Sequence, residues 1–127
     1  MAASSLTMSR TEAAQLAQDL PNNSTELLKL MELRRAEVET LIHDGSFGMV
    51  YVPTMMAKDV ALALEDHGSE LTDRQRLSLT SAVRRLVVAS WRLDQYGDLG
   101  DREKITQAYT LFAAAAAEIK NAYAERR

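Results

Sequence analysis

Apolar residues that recur every three or four positions run through most of this 127-residue chain, and glycine or proline interrupts them. This spacing places apolar side chains on one face of an α-helix, whereas a half-buried strand needs strict alternation, which no segment has. Glycine and proline are typical of the breaks between helices. The pattern therefore predicts an all-α protein without strands.

The first predicted helix is a short N-terminal arm. Ser9 and Glu12 have the spacing of a capping box, in which each side chain satisfies a free backbone N–H of the first turn. Pro21 disfavours helical geometry at the residue before it, so we expect this helix to stop at Leu20. Residues 1–22 are interpreted as the arm.

Two longer helices follow at the start of the main domain, residues 23–127. The first is capped by Asn23 and ends at Gly45, which is expected to adopt the left-handed conformation of a helix end. The second has Pro53 in its first turn, where the missing N–H costs nothing, and runs to His67.

The last two helices have the widest and the cleanest apolar faces. Thr72 and Gln75 form a capping box for the third, which is expected to stop at Gly97 and to be buried on more than one side. Its apolar residues are Leu79, Val83, Leu86, Val87, Trp91 and Leu93. The fourth is capped by Asp101, and its stripe is Ile105, Ala108, Tyr109, Phe112, Ala116, Ile119 and Tyr123.

Short connections between helices of this length favour antiparallel neighbours. The sequence therefore predicts an up-down-up-down four-helix bundle over residues 23–127, with the short arm helix packed across it or against a second copy. The arm is too short to be stable alone and needs a surface to pack on.

Composition narrows the possible functions. Hydrophobic residues make up 46% and charged residues 26%, and no apolar run approaches the length of a bilayer span, so we expect a soluble domain without a membrane span. The net charge of −3, with both signs interspersed, gives no basic surface for nucleic acid. The absence of cysteine excludes disulfides, thiolate nucleophiles and iron–sulfur clusters.

The start of the chain, MAASSLTMSR, lacks the basic segment and apolar core of a secretory signal. As written, the sequence predicts a cytoplasmic protein. A small-residue start of this kind also follows a trimmed signal-peptide site, and in that case the protein would be periplasmic.

The stretch LIHDGSFGMVYVPTMM raises the question of a metal site, because it brings a histidine and three methionines close in sequence. His43 with the thioether of Met49, Met55 or Met56 would be a soft ligand set, suited to copper or another soft transition metal. His67, at the end of the next helix, is a further candidate ligand. The alternative is structural: histidine is common at helix C-termini, and methionine at core spacing usually belongs to the core.

No catalytic motif accompanies these residues, since the chain has neither a nucleophile elbow nor a phosphate-binding glycine loop. The leading interpretation is a non-enzymatic helical bundle that needs no cofactor and acts by binding a protein partner or by self-association. The alternative is a small bundle that binds a metal or ligand near residues 43–56. Arg84 and Arg85 interrupt an apolar helix, so one of them is expected to pair with a carboxylate or an acidic ligand.

Overall fold

A computed structural model describes residues 18–124. Its four α-helices are α1 Ser24–His43, α2 Tyr51–Asp66, α3 Asp73–Leu99 and α4 Arg102–Ala124. One-turn 3₁₀ helices, Phe47–Met49 and Gly68–Glu70, lie in the first two connections. The part of the chain that the structure describes contains no strand, which confirms the all-α prediction.

The four helices form a closed ring around one core. Each packs against the next along the chain, and α1 also contacts α4. The α3–α4 interface is the most extensive and the α1–α4 interface the smallest of the four. The connections are short, so neighbouring helices run antiparallel. The predicted four-helix bundle is confirmed, and its largest fully buried side chains include Leu27, Leu64, Leu79, Leu86, Phe112 and Ile119.

The predicted caps determine most of the helix ends. The Asn23 side chain accepts a hydrogen bond from Glu26 N at 2.8 Å at the start of α1. Thr72 and Gln75 form the complete capping box of α3. Gly45, with φ of 77°, has the left-handed conformation expected after α1. These ends were readable from local sequence because each cap acts within one turn.

The prediction that α3 stops at Gly97 is wrong. The helix continues to Leu99, and Gly100, with φ of 67°, provides its left-handed end. Gly97 is small for a different reason: a Cβ added there would lie 2.8 Å from the carbonyl oxygen of Phe47. The glycine lets the 3₁₀ turn before α2 pack directly on the backbone of α3.

The interpretation of α3 as buried on more than one side is also wrong. Leu79, Val83, Leu86 and Leu93 are buried, but Trp91 is 47% exposed. The Trp91 indole is therefore about half exposed, at the edge of the buried face. The opposite side of α3 faces solvent and carries other exposed apolar residues, among them Leu77 and Val88.

The helix α2 is buried on all sides over residues 53–61. Among the described residues, Phe47–Asp66 is the one segment long and apolar enough to cross a membrane by length and composition, with a mean hydropathy of 1.3. More than half of that apolar window is buried against other parts of the bundle. Such burial is typical of the core helix of a soluble protein.

Most of the predicted arm helix lies outside the described residues. Residues 18–20, its expected last turn, are not helical. Gln18 is instead buried against the bundle, where its Nε2 donates to Met56 O at 3.1 Å and its Oε1 accepts from Arg34 Nε at 3.0 Å. Two side-chain hydrogen bonds of Gln18, and not a last helical turn, therefore hold this part of the chain against α1 and α2.

Candidate functional site

An apolar depression with exposed hydrophobic edges lies between α1 and α2. We call it the α1–α2 groove. It has a volume of about 580 Å³. Its lining residues are Leu33, Arg34, Ala36, Glu37, Thr40, Leu41, Met49, Val52, Pro53 and Met56. Grooves between helices of this size are common sites for apolar side chains of a ligand or a partner helix.

The helical periods of α1 and α2 explain the groove. Positions 33, 37, 40 and 41 fall on one side of α1, and Val52, Pro53 and Met56 fall on the first turns of α2. Met56 is buried and forms the floor, whereas Leu33 is 52% exposed and Met49 is 55% exposed. Two large apolar side chains therefore stand in solvent at the edges of an apolar depression.

The two charged side chains that line the groove, Arg34 and Glu37, form an ion pair with each other. Arg34 Nη1 donates to Glu37 Oε1 at 2.9 Å, and Arg34 Nε donates to the buried Gln18. The Arg34 side chain is only 18% exposed. The guanidinium is thus held by two partners and presents no uncompensated charge to a molecule entering the groove.

The five residues predicted as candidate soft metal ligands occupy different environments. The His43 side chain is 88% exposed, with Nδ1 3.5 Å from Asp44 Oδ1, and Met49 lies at the edge of the groove. Met55 is 1% exposed and packs with Met56 and Val52 in a small second cluster. At the end of α2, His67 Nδ1 lies 2.9 Å from Ala63 O. Met49 and Met56 line the groove together, whereas His43, Met55 and His67 are not among its lining residues.

Within residues 18–124, no three or more His, Asp and Glu side chains are grouped so that they could hold a metal ion. A mixed histidine and thioether set is a different kind of site, and the soft-metal hypothesis stays a prediction. The structural role predicted for His43 at the end of α1 also stays a prediction, and Arg102 lies at the same helix end. The Nη1 of Arg102 lies 3.5 Å from Ile42 O, and its guanidinium lies 4.8 Å from the ring centre of Phe47.

A hydrogen-bonded network joins α1 to α4. The Tyr109 hydroxyl donates to Glu39 Oε1 at 2.6 Å and accepts from Arg35 Nη1 at 2.8 Å, while Arg35 also bonds Glu32. Burial raises the pKa of Tyr109 to about 12, helped by its bond to Glu39. Bonds from Arg35 to Glu32, and from Tyr109 and Arg35 to Glu39, lower the pKa of both carboxyls. The protonated Tyr109 hydroxyl therefore joins α4 to α1 through two hydrogen bonds.

A second charged feature lies inside α2. Lys58 is 6% and Asp59 9% exposed, and Lys58 Nζ lies 3.5 Å from Asp59 Oδ1. The same ammonium lies 5.1 Å from the ring centre of Trp91, which gives it a cation–π contact with α3. The sequence pattern did not reveal this pair, because a Lys-Asp dipeptide on a helix normally faces solvent.

The sequence also gave no direct signal for the α1–α2 groove. Leu33 and Met49 lie off the apolar stripes, and a single leucine or methionine off a stripe is ordinary on a protein surface. Only the packing of α2 against α1 brings them to one depression.

Comparisons of the chain with protein-family models, with curated proteins and with solved structures gave no match.

Proposed function

We propose that the protein is a non-enzymatic helical bundle that works by association, and that its α1–α2 groove binds a second copy of the chain. The observation that supports this proposal is the exposure of Leu33 and Met49 at the edges of an apolar depression. Exposed apolar side chains grouped around a depression are typical of surfaces that become buried on binding.

The shape of the groove suits a two-fold interface. Such an interface uses the same patch on both copies, so the patch must supply both the protruding groups and the depression that receives them. Leu33 and Met49 protrude, and Val52, Pro53 and Met56 form the depression between them. Ala36 has little side chain, which allows a second α1 to approach closely.

The charges at the groove are also compatible with a second copy. In a two-fold interface an uncompensated charge near the axis meets its own counterpart, which is unfavourable. Arg34 is neutralised by Glu37 within the chain, so the contact brings no bare like charges together. Arg34 and Glu37 are the charged residues that line the groove, so its lining carries no net charge.

Sedimentation equilibrium over a wide range of protein concentration tests this proposal. We expect the unaltered chain to reach twice its monomer mass as concentration rises. Leu33→Asp and Met49→Asp should each raise the dimer dissociation constant at least about ten-fold, because a buried interface leucine or methionine contributes on the order of 1–2 kcal/mol. Both side chains are half exposed in the monomer, so the variants should fold, as circular dichroism will verify.

Leu77→Asp is the matched control, because it introduces the same charge at a leucine that is 74% exposed on α3 and outside the groove. It should leave association unchanged. A chain that remains monomeric at every concentration would overturn the proposal. So would equal weakening by Leu77→Asp and Leu33→Asp.

A further inference from the structure

A second exposed surface has a different chemical character. It lies between α3 and α4 and forms a shallow groove of about 320 Å³, which we call the α3–α4 face. Its lining residues are Arg84, Arg85, Val88, Ala89, Arg92 and Leu111. None of them lines the α1–α2 groove, so the two surfaces are separate.

The centre of the α3–α4 face is apolar. Val88 is 49% and Leu111 52% exposed, and they come from the two helices on either side of the groove. Trp91, three residues after Val88, is 47% exposed and lies next to the α3–α4 face on the side of α2, where its ring contacts Lys58. Half-exposed aliphatic and indole groups of this kind gain free energy when a partner removes them from water.

Three arginines of α3 border this apolar centre, and two of them have no partner among the described residues. Arg85 bonds both carboxylate oxygens of Glu118, with Nη2 to Oε1 at 2.9 Å, so its charge is satisfied. Arg84 and Arg92 have no hydrogen-bond or ion-pair partner among the residues that the structure describes. They are eight positions apart on α3, which places them about 12 Å apart along the helix axis.

This charge distribution selects against a second copy. A two-fold contact on the α3–α4 face would bring unpaired guanidinium groups of both chains together in a partly desolvated interface. An acidic partner has the opposite effect, because each guanidinium would gain a carboxylate, and arginine binds carboxylates in a planar, two-pronged geometry.

We propose that the α3–α4 face binds an acidic amphipathic helix of a partner protein. Apolar side chains of that helix cover Val88 and Leu111. Carboxylates seven or eight positions apart along it reach Arg84 and Arg92, since that separation on one helix spans the same roughly 12 Å. The interaction is distinct from self-association through the α1–α2 groove and does not depend on it.

Trp91 is the single tryptophan of the chain and lies one helical turn from Val88, so its emission reports on binding next to it. The probe is a tryptophan-free peptide of about 18 residues, long enough to be helical, with leucines at three-and-four spacing and glutamates eight positions apart on the same face. The control peptide has lysine in place of each glutamate. We expect the glutamate peptide to shift and saturate Trp91 emission, and the lysine peptide to bind at least about ten-fold more weakly.

Variants of the protein assign the contact. Arg84→Glu and Arg92→Glu should each raise the dissociation constant of the glutamate peptide at least about ten-fold and should improve binding of the lysine peptide. Arg74→Glu is the matched control, since it makes the same charge change at an exposed arginine of α3 outside this face. It should leave both constants within about two-fold, and far-UV circular dichroism will verify that all variants keep the helical fold.

Three results would overturn the proposal. The first is equal binding of both peptides, which would indicate a nonspecific apolar contact. The second is an equal effect of Arg74→Glu and Arg84→Glu, which would indicate long-range charge alone. The third is binding of anionic lipid vesicles through Arg84 and Arg92 without a response to the glutamate peptide, which would assign the face to a membrane surface.

Discussion

Two ion pairs of the bundle use the same chemistry in opposite surroundings. Lys58 and Asp59 lie inside α2, each less than a tenth exposed. Arg85 and Glu118 join α3 to α4 across the surface, and each side chain is about half exposed. A buried charge loses its hydration and depends on its protein partners, whereas an exposed charge keeps water as an alternative. From this comparison we expect that burial, rather than geometry, determines how much each ion pair contributes to the free energy of unfolding.

The largest expected effect comes from breaking the buried pair. Lys58→Met should lower the free energy of unfolding by about 3–5 kcal/mol, because it removes the Lys58 ammonium from beside the buried Asp59 carboxylate. Urea unfolding followed by circular dichroism measures the change. Lys120→Met, at an exposed lysine of α4, should stay within about 0.5 kcal/mol. A loss below about 1 kcal/mol for Lys58→Met would show that the buried pair contributes no more to stability than the exposed one.

A buried neutral hydrogen bond should rank second. The Tyr123 hydroxyl donates to Leu64 O, which ties the end of α4 to α2. Tyr123→Phe removes the donor with little change in shape and should cost about 1–2 kcal/mol in the same assay. Tyr96→Phe is the control, since the Tyr96 hydroxyl has no hydrogen bond among the described residues. Equal effects of the two substitutions would contradict this ranking.

The partly buried network between α1 and α4 should be weaker still. Tyr109→Phe removes bonds to Glu39 and Arg35 and should cost about 0.5–1.5 kcal/mol near neutral pH. The folded-state pKa of Tyr109, about 12, lies above the ordinary value of 10.0, so its contribution is present below pH 10 and is lost as pH rises through 12. In a spectrophotometric pH titration, the phenol that ionises near 12 should be missing from Tyr109→Phe. An unchanged titration curve would contradict the assignment.

The smallest effect is expected for the surface pair. Arg85→Ala should cost no more than about 1 kcal/mol, and high salt should remove most of the difference because exposed pairs are screened. The bond from Arg85 lowers the pKa of Glu118, so this contribution is present above the ordinary carboxyl pKa of 4.5 and is lost as pH falls through the lowered value. Urea unfolding at neutral and acidic pH measures both. A salt-independent loss above about 2 kcal/mol would show that the surface pair matters as much as the buried one.

The fold was predictable because the bundle is encoded in spacing and caps. The stripe from Ile105 to Tyr123 on α4 is buried as the period requires, apart from the partly buried Tyr109, and Asn23, Thr72 and Asp101 cap the helices they precede. Such features act within one helix, so they are readable without knowledge of the neighbours.

Other features depend on what packs against each helix, and the sequence alone did not reveal them. Lys58 is buried because α2 is covered on all sides, which no period within α2 indicates. Trp91 continues the apolar face of α3, yet no neighbour fully covers it. Gly97 reads as a helix stop until the Phe47 carbonyl is seen against it. The two proposed surfaces could not be predicted from the sequence for the same reason, since residues of two different helices form each of them.

The small α1–α4 interface has a consequence for the motions of the bundle. The ring of four helices is closed there by the least packing, and much of its polar contact passes through Tyr109. Local opening follows the weakest interface, so α1 should separate from α4 before the tightly joined α3–α4 hairpin loosens. Amide hydrogens in the half of α1 that faces α4 should then exchange with solvent faster than those in the centre of α3. The bundle would then open at the α1–α4 interface while α3 and α4 stay packed together.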